Sequence, residues 1–204
     1  MQILILITLI VGILFVLFLL NFYRDPKRAI PAGNNIVSPA DGKIIRILNV
    51  KQDKIRINKG IIGKIEALAK DVADECAVIS IFMSPLDVHI NRAPIDGVIG
   101  SVRHEKGRFF AAYNLEKSLN NEKNEIVIKN RKIGKIKVIQ IAGFLARRII
   151  CNAKKNEKVN KGQRIGKIVL GSQVSLILPS KKIIIKVKDG QKVKAGSTIL
   201  ADLR

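Results

Sequence analysis

The chain contains no tryptophan, and aromatic residues make up only 4% of it. Binders of single-stranded nucleic acid stack bases on aromatic side chains, so no nucleic-acid partner is expected despite the basic character of the sequence. Cysteine is also scarce. Cys76 and Cys151 stand far apart, which excludes a disulfide framework and offers no metal-ligand spacing, so two reduced thiols and no metal are expected. Histidine is limited to His89 and His104, and 16 acidic residues face 37 Lys and Arg, for a net charge of +21. A surplus of that size favours a polyanionic partner.

Against these absences stands one long apolar run. Ile3 to Leu20 is interrupted only by Thr8 and Gly12, and a helix of that length reaches roughly 27 Å, close to the hydrocarbon thickness of a bilayer. A secretory signal peptide would need a basic start and a small-residue cleavage site, and neither is evident. The segment Asn21 to Arg28 supplies two aromatics and three basic side chains, an arrangement expected to leave the following domain on the cytoplasmic side of the cell membrane. Anionic lipid is then the expected polyanion, each nearby Lys or Arg contributing about 1 kcal/mol. Residues 1–28 are expected to form the anchor and its basic flank, and residues 29–204 one domain.

Beyond Ile30 the pattern changes to short β-branched runs separated by Gly, Pro, Asn and Asp. Such runs are Lys43 to Val50, Lys54 to Asn58, Ala77 to Met83, Glu125 to Asn130, Ile133 to Ile141 and Lys182 to Val187, the last ending at the turn dipeptide Asp189-Gly190. Phe110 to Asn120 suits either a short amphipathic helix or an ordered loop. Two internal similarities stand out. Ser38-Pro39-Ala40-Asp41-Gly42-Lys43-Ile44 resembles Ala93-Pro94-Ile95-Asp96-Gly97-Val98-Ile99, and Glu157 to Gly166 resembles Gly190 to Ile199. The expected fold is mainly β, a barrel-like β-sandwich domain built of hairpins and preceded by one N-terminal transmembrane helix.

A Gly-Ser pair is usually a turn or linker. Gly171-Ser172 instead sits inside the apolar, β-like stretch Gly166 to Pro179. Four further blocks precede it: Ser38 to Gly42; Phe82-Met83-Ser84-Pro85-Leu86-Asp87-Val88-His89-Ile90-Asn91-Arg92-Ala93-Pro94; Asn121 to Glu125; and Gln140 to Gly143 with Ala146-Arg147-Arg148. In this order, from Ile36 to about Pro179, the blocks resemble the short bacterial and archaeal form of phosphatidylserine decarboxylase. The resemblance implies that the bond between Gly171 and Ser172 breaks without hydrolysis. Ser172 Oγ attacks the Gly171 carbonyl, an acyl shift gives an ester, and β-elimination leaves a β chain 1–171 and an α chain 172–204. Residue 172 becomes a covalent pyruvoyl group, the only cofactor implied. Its carbonyl takes the amine of phosphatidylserine and accepts the electrons freed as carbon dioxide leaves. The two pieces are expected to remain together as a heterodimer, with any higher oligomer left open.

Self-cleavage needs a base and oxyanion donors. His89 titrates near neutrality and Asp41 stands beside it as the candidate that polarises it or aids self-cleavage, although Asp before Gly is also common as a turn cap. The longer form of the family carries His-x-x-His, and here the second position is Arg92, so the division of labour between the two steps stays open. Arg92, Arg147 and Arg148 are candidates to hold the phosphate or carboxylate of the lipid, with surface salt bridges as the alternative. His104, flanked by polar residues, is expected in a solvated loop. Two rival readings remain. One is a noncatalytic, membrane-tethered module like biotinyl or lipoyl carriers, suggested by Asp189 to Gly196 but lacking an evident hairpin-tip lysine. The other is a decarboxylase of a related serine lipid such as archaetidylserine.

Overall fold

The computed structural model describes residues 1–51, 68–107, 118, 120–143, 148–169 and 172–204. The expected strand Lys54 to Asn58, most of the segment Phe110 to Asn120, Arg147 and Gly171 lie outside the described residues.

Helix α1 spans Gln2–Phe22, about 31 Å at 1.5 Å per residue. It is long and apolar enough to cross a membrane. Its side chains are apolar on every face and exposed until the last turn, where Phe22 becomes buried. A helix without a polar stripe suits hydrocarbon rather than a domain surface.

The rest is built of strands β1 (Asn35–Val37), β2 (Gly42–Lys51), β3 (Glu75–Met83), β4 (Ile90–Arg92), β5 (Gly97–Glu105), β6 (Lys123–Asn130), β7 (Gly134–Ile141), β8 (Arg148–Cys151), β9 (Lys158–Val159), β10 (Arg164–Val169), β11 (Ser172–Pro179), β12 (Ile183–Ile185), β13 (Lys192–Val193) and β14 (Ile199–Leu203). An eight-stranded sheet runs β13-β2-β3-β11-β7-β6-β5-β9, and two three-stranded sheets run β1-β14-β12 and β4-β10-β8. The fold is mainly β with one apolar N-terminal helix, as the sequence pattern indicates.

The two internal similarities explain this layout. Gly42 and Gly97 each open a long strand and pair with Val193 and Val159, the second residues of the two edge strands. Asp41 Oδ1 accepts from Ala195 N and Asp96 Oδ1 from Lys161 N, both at 2.7 Å. Val37 N donates to Pro94 O while Arg92 N donates to Pro39 O, both at 2.9 Å, which is the same bond with the two halves exchanged. Even the irregularities match, since β2 shifts register between Ile44 and Arg46 and β5 between Ile99 and Ser101. The domain is therefore two equivalent units about a pseudo-twofold axis between β11 and β7. One unit is β4 to β10, inserted in the chain between the two parts of the other, β1 to β3 and β11 to β14.

Strand β11 lies in the middle of the large sheet. It pairs with β3 along one edge and with β7 along the other, and all eight of its residues are buried. The largest fully buried side chains are isoleucines with the single exception of Met83. β-Branched side chains fit such pleated, two-sided surfaces, which explains how so few aromatics suffice. Lys137 is buried in this sheet, with Nζ 3.0 Å from Glu125 Oε2; removing one partner of such a pair strands the other charge.

Two expectations need correction. The run Lys182 to Val187 forms a strand only over Ile183–Ile185, because Ser180–Lys182 turns as a short 3-10 helix. His104 lies on β5 rather than in a loop, half-exposed, with Nε2 3.3 Å from Glu122 Oε1.

Gly42 has φ +144°, and a Cβ there would collide with the Phe82 carbonyl. At the equivalent Gly97 a Cβ would lie 2.5 Å from the Lys129 carbonyl oxygen. Chemical denaturation should therefore show Gly42→Ala losing about 3 kcal/mol or more and Gly97→Ala about 1–3 kcal/mol, since only the first adds left-handed backbone strain to overpacking.

Candidate active site

His89 lies between a tight turn and β4. The turn Ser84 to Asp87 has Pro at its second position, which presets φ. It is closed by Asp87 N donating to Ser84 O at 3.0 Å, and Asp87 Oδ2 accepts from Ser84 N at 2.8 Å and from Ser84 Oγ at 2.7 Å. His89 Nδ1 stands 2.8 Å from the Asp87 carbonyl oxygen. A carbonyl only accepts, so the ring proton is assigned to Nδ1 and Nε2 carries the lone pair. Nε2 is buried and has no hydrogen-bond partner among the described residues. The Phe22 ring at the end of α1 packs over the imidazole, with centroids 4.4 Å apart. Burial pushes the His89 pKa down, against the raising effects of the Asp87 carbonyl and carboxylate. At neutral pH the ring is thus a neutral proton acceptor in an apolar enclosure.

Ser172 is the first residue of β11 and fully buried. Its Oγ donates to Met83 Sδ at 3.5 Å. A thioether is a weak acceptor, so the hydroxyl is not locked into a strong ground-state bond. The same sulfur receives Asn91 Nδ2 at 3.8 Å. Asn91 in turn accepts from Gln140 Nε2 at 2.8 Å, and Gln140 accepts from Asn124 Nδ2 at 2.9 Å. This amide chain crosses from β6 to β4 and holds Asn91, two residues after His89, against the sulfur that also meets Ser172. On the adjoining residue, Gln173 accepts from Ser118 Oγ and donates to Ser175 Oγ, both at 3.0 Å. β10 ends at Val169 in one sheet, beside His89 through an Ile168 N to His89 O bond of 3.2 Å, and β11 starts at Ser172 in the other.

Asp41 engages other partners. Its Oδ2 takes Arg28 Nη2 at 2.7 Å and its Oδ1 takes Ala195 N. Burial raises its pKa, opposed by Ala195 N–H and Arg28, while the Asp87 charge adds to the rise. Asp41 and the His89 turn therefore feel one another electrostatically, yet the group bonded to His89 Nδ1 is the Asp87 carbonyl. Arg92 is buried and spent on the protein: Nη1 donates to Gly162 O at 3.0 Å, and Nη2 to Asp25 Oδ1 at 2.9 Å and Pro26 O at 3.3 Å. It ties the flank of α1 to the turn before β10. Arg148 opens β8, exposed and opposite Val169.

Phe22, Arg28, Met83, Asn91, Gln140 and Asn124 surround the candidate residues, and none was given a role in the site from the sequence. Gln140 carried a signal, an amide inside an otherwise apolar strand run, since a buried amide demands partners. Phe22 gave none beyond its place at a helix end.

The lowered His89 pKa has a defined consequence for stability. The unfolded chain binds a proton first, so the contribution of the neutral buried ring is full above pH 6.5 and is lost as pH falls through 6.5 toward the lower folded value. Urea titrations at about pH 7.5 and about pH 5.5 should show the wild type losing up to about 1 kcal/mol more than His89→Gln.

Comparison with known proteins identifies the family. The sequence profile of the family described as Phosphatidylserine decarboxylase matches residues 15–201. A phosphatidylserine decarboxylase proenzyme of Chlorobaculum tepidum is 41% identical over 187 residues, covering 91% of this chain and 78% of the relative. A Methanocaldococcus jannaschii protein, provisionally named archaetidylserine decarboxylase proenzyme, is 43% identical over 186 residues, covering 91% of this chain and 89% of its own length. A phosphatidylserine decarboxylase proenzyme from the Wolbachia of Brugia malayi is 40% identical over 183 residues, covering 89% and 74%. With an apolar helix ahead of a β domain in which a buried serine opens the central strand, the chain belongs to the phosphatidylserine decarboxylase family.

Proposed function

We propose that the chain cuts itself between Gly171 and Ser172 and then decarboxylates the serine headgroup of phosphatidylserine, giving phosphatidylethanolamine and carbon dioxide. The observation that carries this reading is the presence of two buried, under-committed groups: a serine hydroxyl resting on a thioether and an imidazole whose Nε2 has no partner among the described residues. In a well-satisfied interior such groups are rare, and they mark places where a reaction supplies the missing partner.

In the first step Ser172 Oγ loses its proton and bonds to the Gly171 carbonyl carbon while the peptide C–N bond breaks. The freed amine stays on residue 172. Removal of the Cα proton of residue 172 then expels the Gly171 carboxylate, separating residues 1–171 from 172–204, and the dehydroalanine left at residue 172 tautomerises to an imine that water hydrolyses, releasing ammonia and leaving the ketone. His89 Nε2, kept neutral by burial, is the group positioned to accept a proton. The pyruvoyl group formed at residue 172 supplies a carbonyl that captures a primary amine and draws off the electron pair released with carbon dioxide. Around it, His89 holds and returns a proton, Asn91 and Met83 fix the strand start, and Arg148 offers a guanidinium to the lipid phosphate or carboxylate. Arg92 acts as a clamp rather than a ligand, since its described bonds go to Gly162, Asp25 and Pro26.

The C-terminal piece has reason to stay in place after the cut. β11 is paired along both edges, and β14 is paired with β1 on one side and β12 on the other. The basic residues Arg24, Lys27 and Arg28 favour a cytoplasmic domain. A second substrate is supported by the name of the archaeal relative: archaetidylserine carries the same serine headgroup, on which the same residues would act. A noncatalytic carrier role gives way to membership of a decarboxylase family.

Denaturing electrophoresis of the wild type should show two pieces and that of Ser172→Ala a single 22.6 kDa chain, with release of carbon dioxide from carboxyl-labelled phosphatidylserine abolished in the variant. An intact Ser172→Ala chain that still decarboxylates overturns the reading. His89→Ala should slow processing or turnover by about 10²–10⁴-fold, the usual worth of a positioned proton acceptor.

A further inference from the structure

Outside α1 and its N-cap Met1, the well-exposed large apolar side chains among the described residues are Tyr23, Ile30, Leu86 and Ile184. Single apolar residues on a surface are ordinary, so exposure alone carries nothing. Leu86 differs by where and how it is held. It is 68% exposed at the tip of the Ser84 to Asp87 turn, which three hydrogen bonds between Ser84 and Asp87 keep closed. The side chain is thus presented outward by a rigid turn. Its own carbonyl oxygen accepts from Arg24 Nη2 at 2.8 Å, and Nη1 of the same guanidinium bonds the Asn21 carbonyl in the last turn of α1. Arg24 straps the turn to the end of the apolar helix. Beside it Tyr23 is 59% exposed, and Lys167 Nζ stands 5.6 Å from the Tyr23 ring centroid. An apolar tip, an aromatic and flanking cations at one helix end are the components of a membrane-interface contact.

We infer that the Ser84 to Asp87 turn is a second membrane contact, with Leu86 entering the acyl boundary of the bilayer beside the end of α1 while Arg24, Lys27 and Lys167 meet anionic headgroups. The inference rests on α1 spanning that bilayer. It also sets the depth of the chemistry. His89 follows Leu86 by three residues and packs on Phe22, the last residue of α1. A turn seated in the interface therefore fixes His89 at headgroup level, and a lipid serine reaches it while its acyl chains stay in the bilayer.

The absence of native tryptophan allows a clean test on the full chain reconstituted into vesicles of phosphatidylcholine and phosphatidylglycerol. Three single variants are compared: Leu86→Trp, Tyr23→Trp and Ile184→Trp. Expected are a blue-shifted emission and strong quenching by lipids brominated near the headgroup end of the acyl chain for Leu86→Trp and Tyr23→Trp. Ile184→Trp should be severalfold more sensitive to aqueous acrylamide. If Tyr23→Trp is quenched by brominated lipid and Leu86→Trp behaves like Ile184→Trp, the membrane contact at the turn is overturned while the anchor stands. If neither Tyr23→Trp nor Leu86→Trp is quenched, the anchor reading fails and the inference falls with it. Leu86 is exposed, so its replacement removes little packing. A Leu86→Cys variant carrying a thiol-linked nitroxide, in a Cys76→Ala and Cys151→Ser background, gives the same depth by spin relaxation should the indole perturb the turn.

Discussion

The double-edged pairing of β11 is the constraint on which the rest depends. Ser172 to Pro179 is held by β3 on one side and β7 on the other, with every residue buried. Burying a hydroxyl at the head of such a strand costs free energy unless it is well paired, and here its partner is the Met83 thioether. Backbone pairing thus holds Ser172 in a place its side chain does not favour. The same pairing lets a strand lose its covalent link at one end and remain seated, which is what a proenzyme that cuts itself requires.

Pseudo-twofold symmetry supplies the frame, and departures from it supply the chemistry. Asp41 and Asp96 tie down equivalent turns, Gly42 and Gly97 start equivalent strands, and both edge strands close on them. The position equivalent to Ser172 is Gly134, the first residue of β7, and the position equivalent to His89 is Asn34. Neither offers a nucleophile or a base. Each half of the duplicated scaffold therefore supplies one of the two candidate groups, Ser172 from the half that holds β11 and His89 from the half that begins at β4, and this second half also contributes Gln140 and Asn124 to the amide chain that holds Asn91.

The anchor and the site form one structure. Phe22 covers His89, Arg24 bonds the Leu86 carbonyl, Asp25 pairs with Arg92 and Arg28 pairs with Asp41. Nearly every residue of the flank that follows the apolar helix is engaged with a candidate site residue or its neighbour. Burial lowers the His89 pKa, and the Phe22 ring at the end of the apolar helix is part of what covers the imidazole.

Much was legible from local pattern. The apolar helix, the alternation of β-branched runs with turns and the two internal similarities depend on residues adjacent in sequence, where hydropathy and turn chemistry act directly, whereas Gly171-Ser172 stood out through its place in an ordered set of blocks. The contacts were not legible. That Asp87 rather than Asp41 orients His89, that Arg92 clamps the flank, and that Met83, Asn91 and Phe22 enclose the site follow from strand pairings across tens of residues. Sequence alone determined which groups are available and which elements carry them. Tertiary structure decided which of them are enclosed and what each is bonded to, because burial and hydrogen bonding are properties of neighbours in space rather than in the chain.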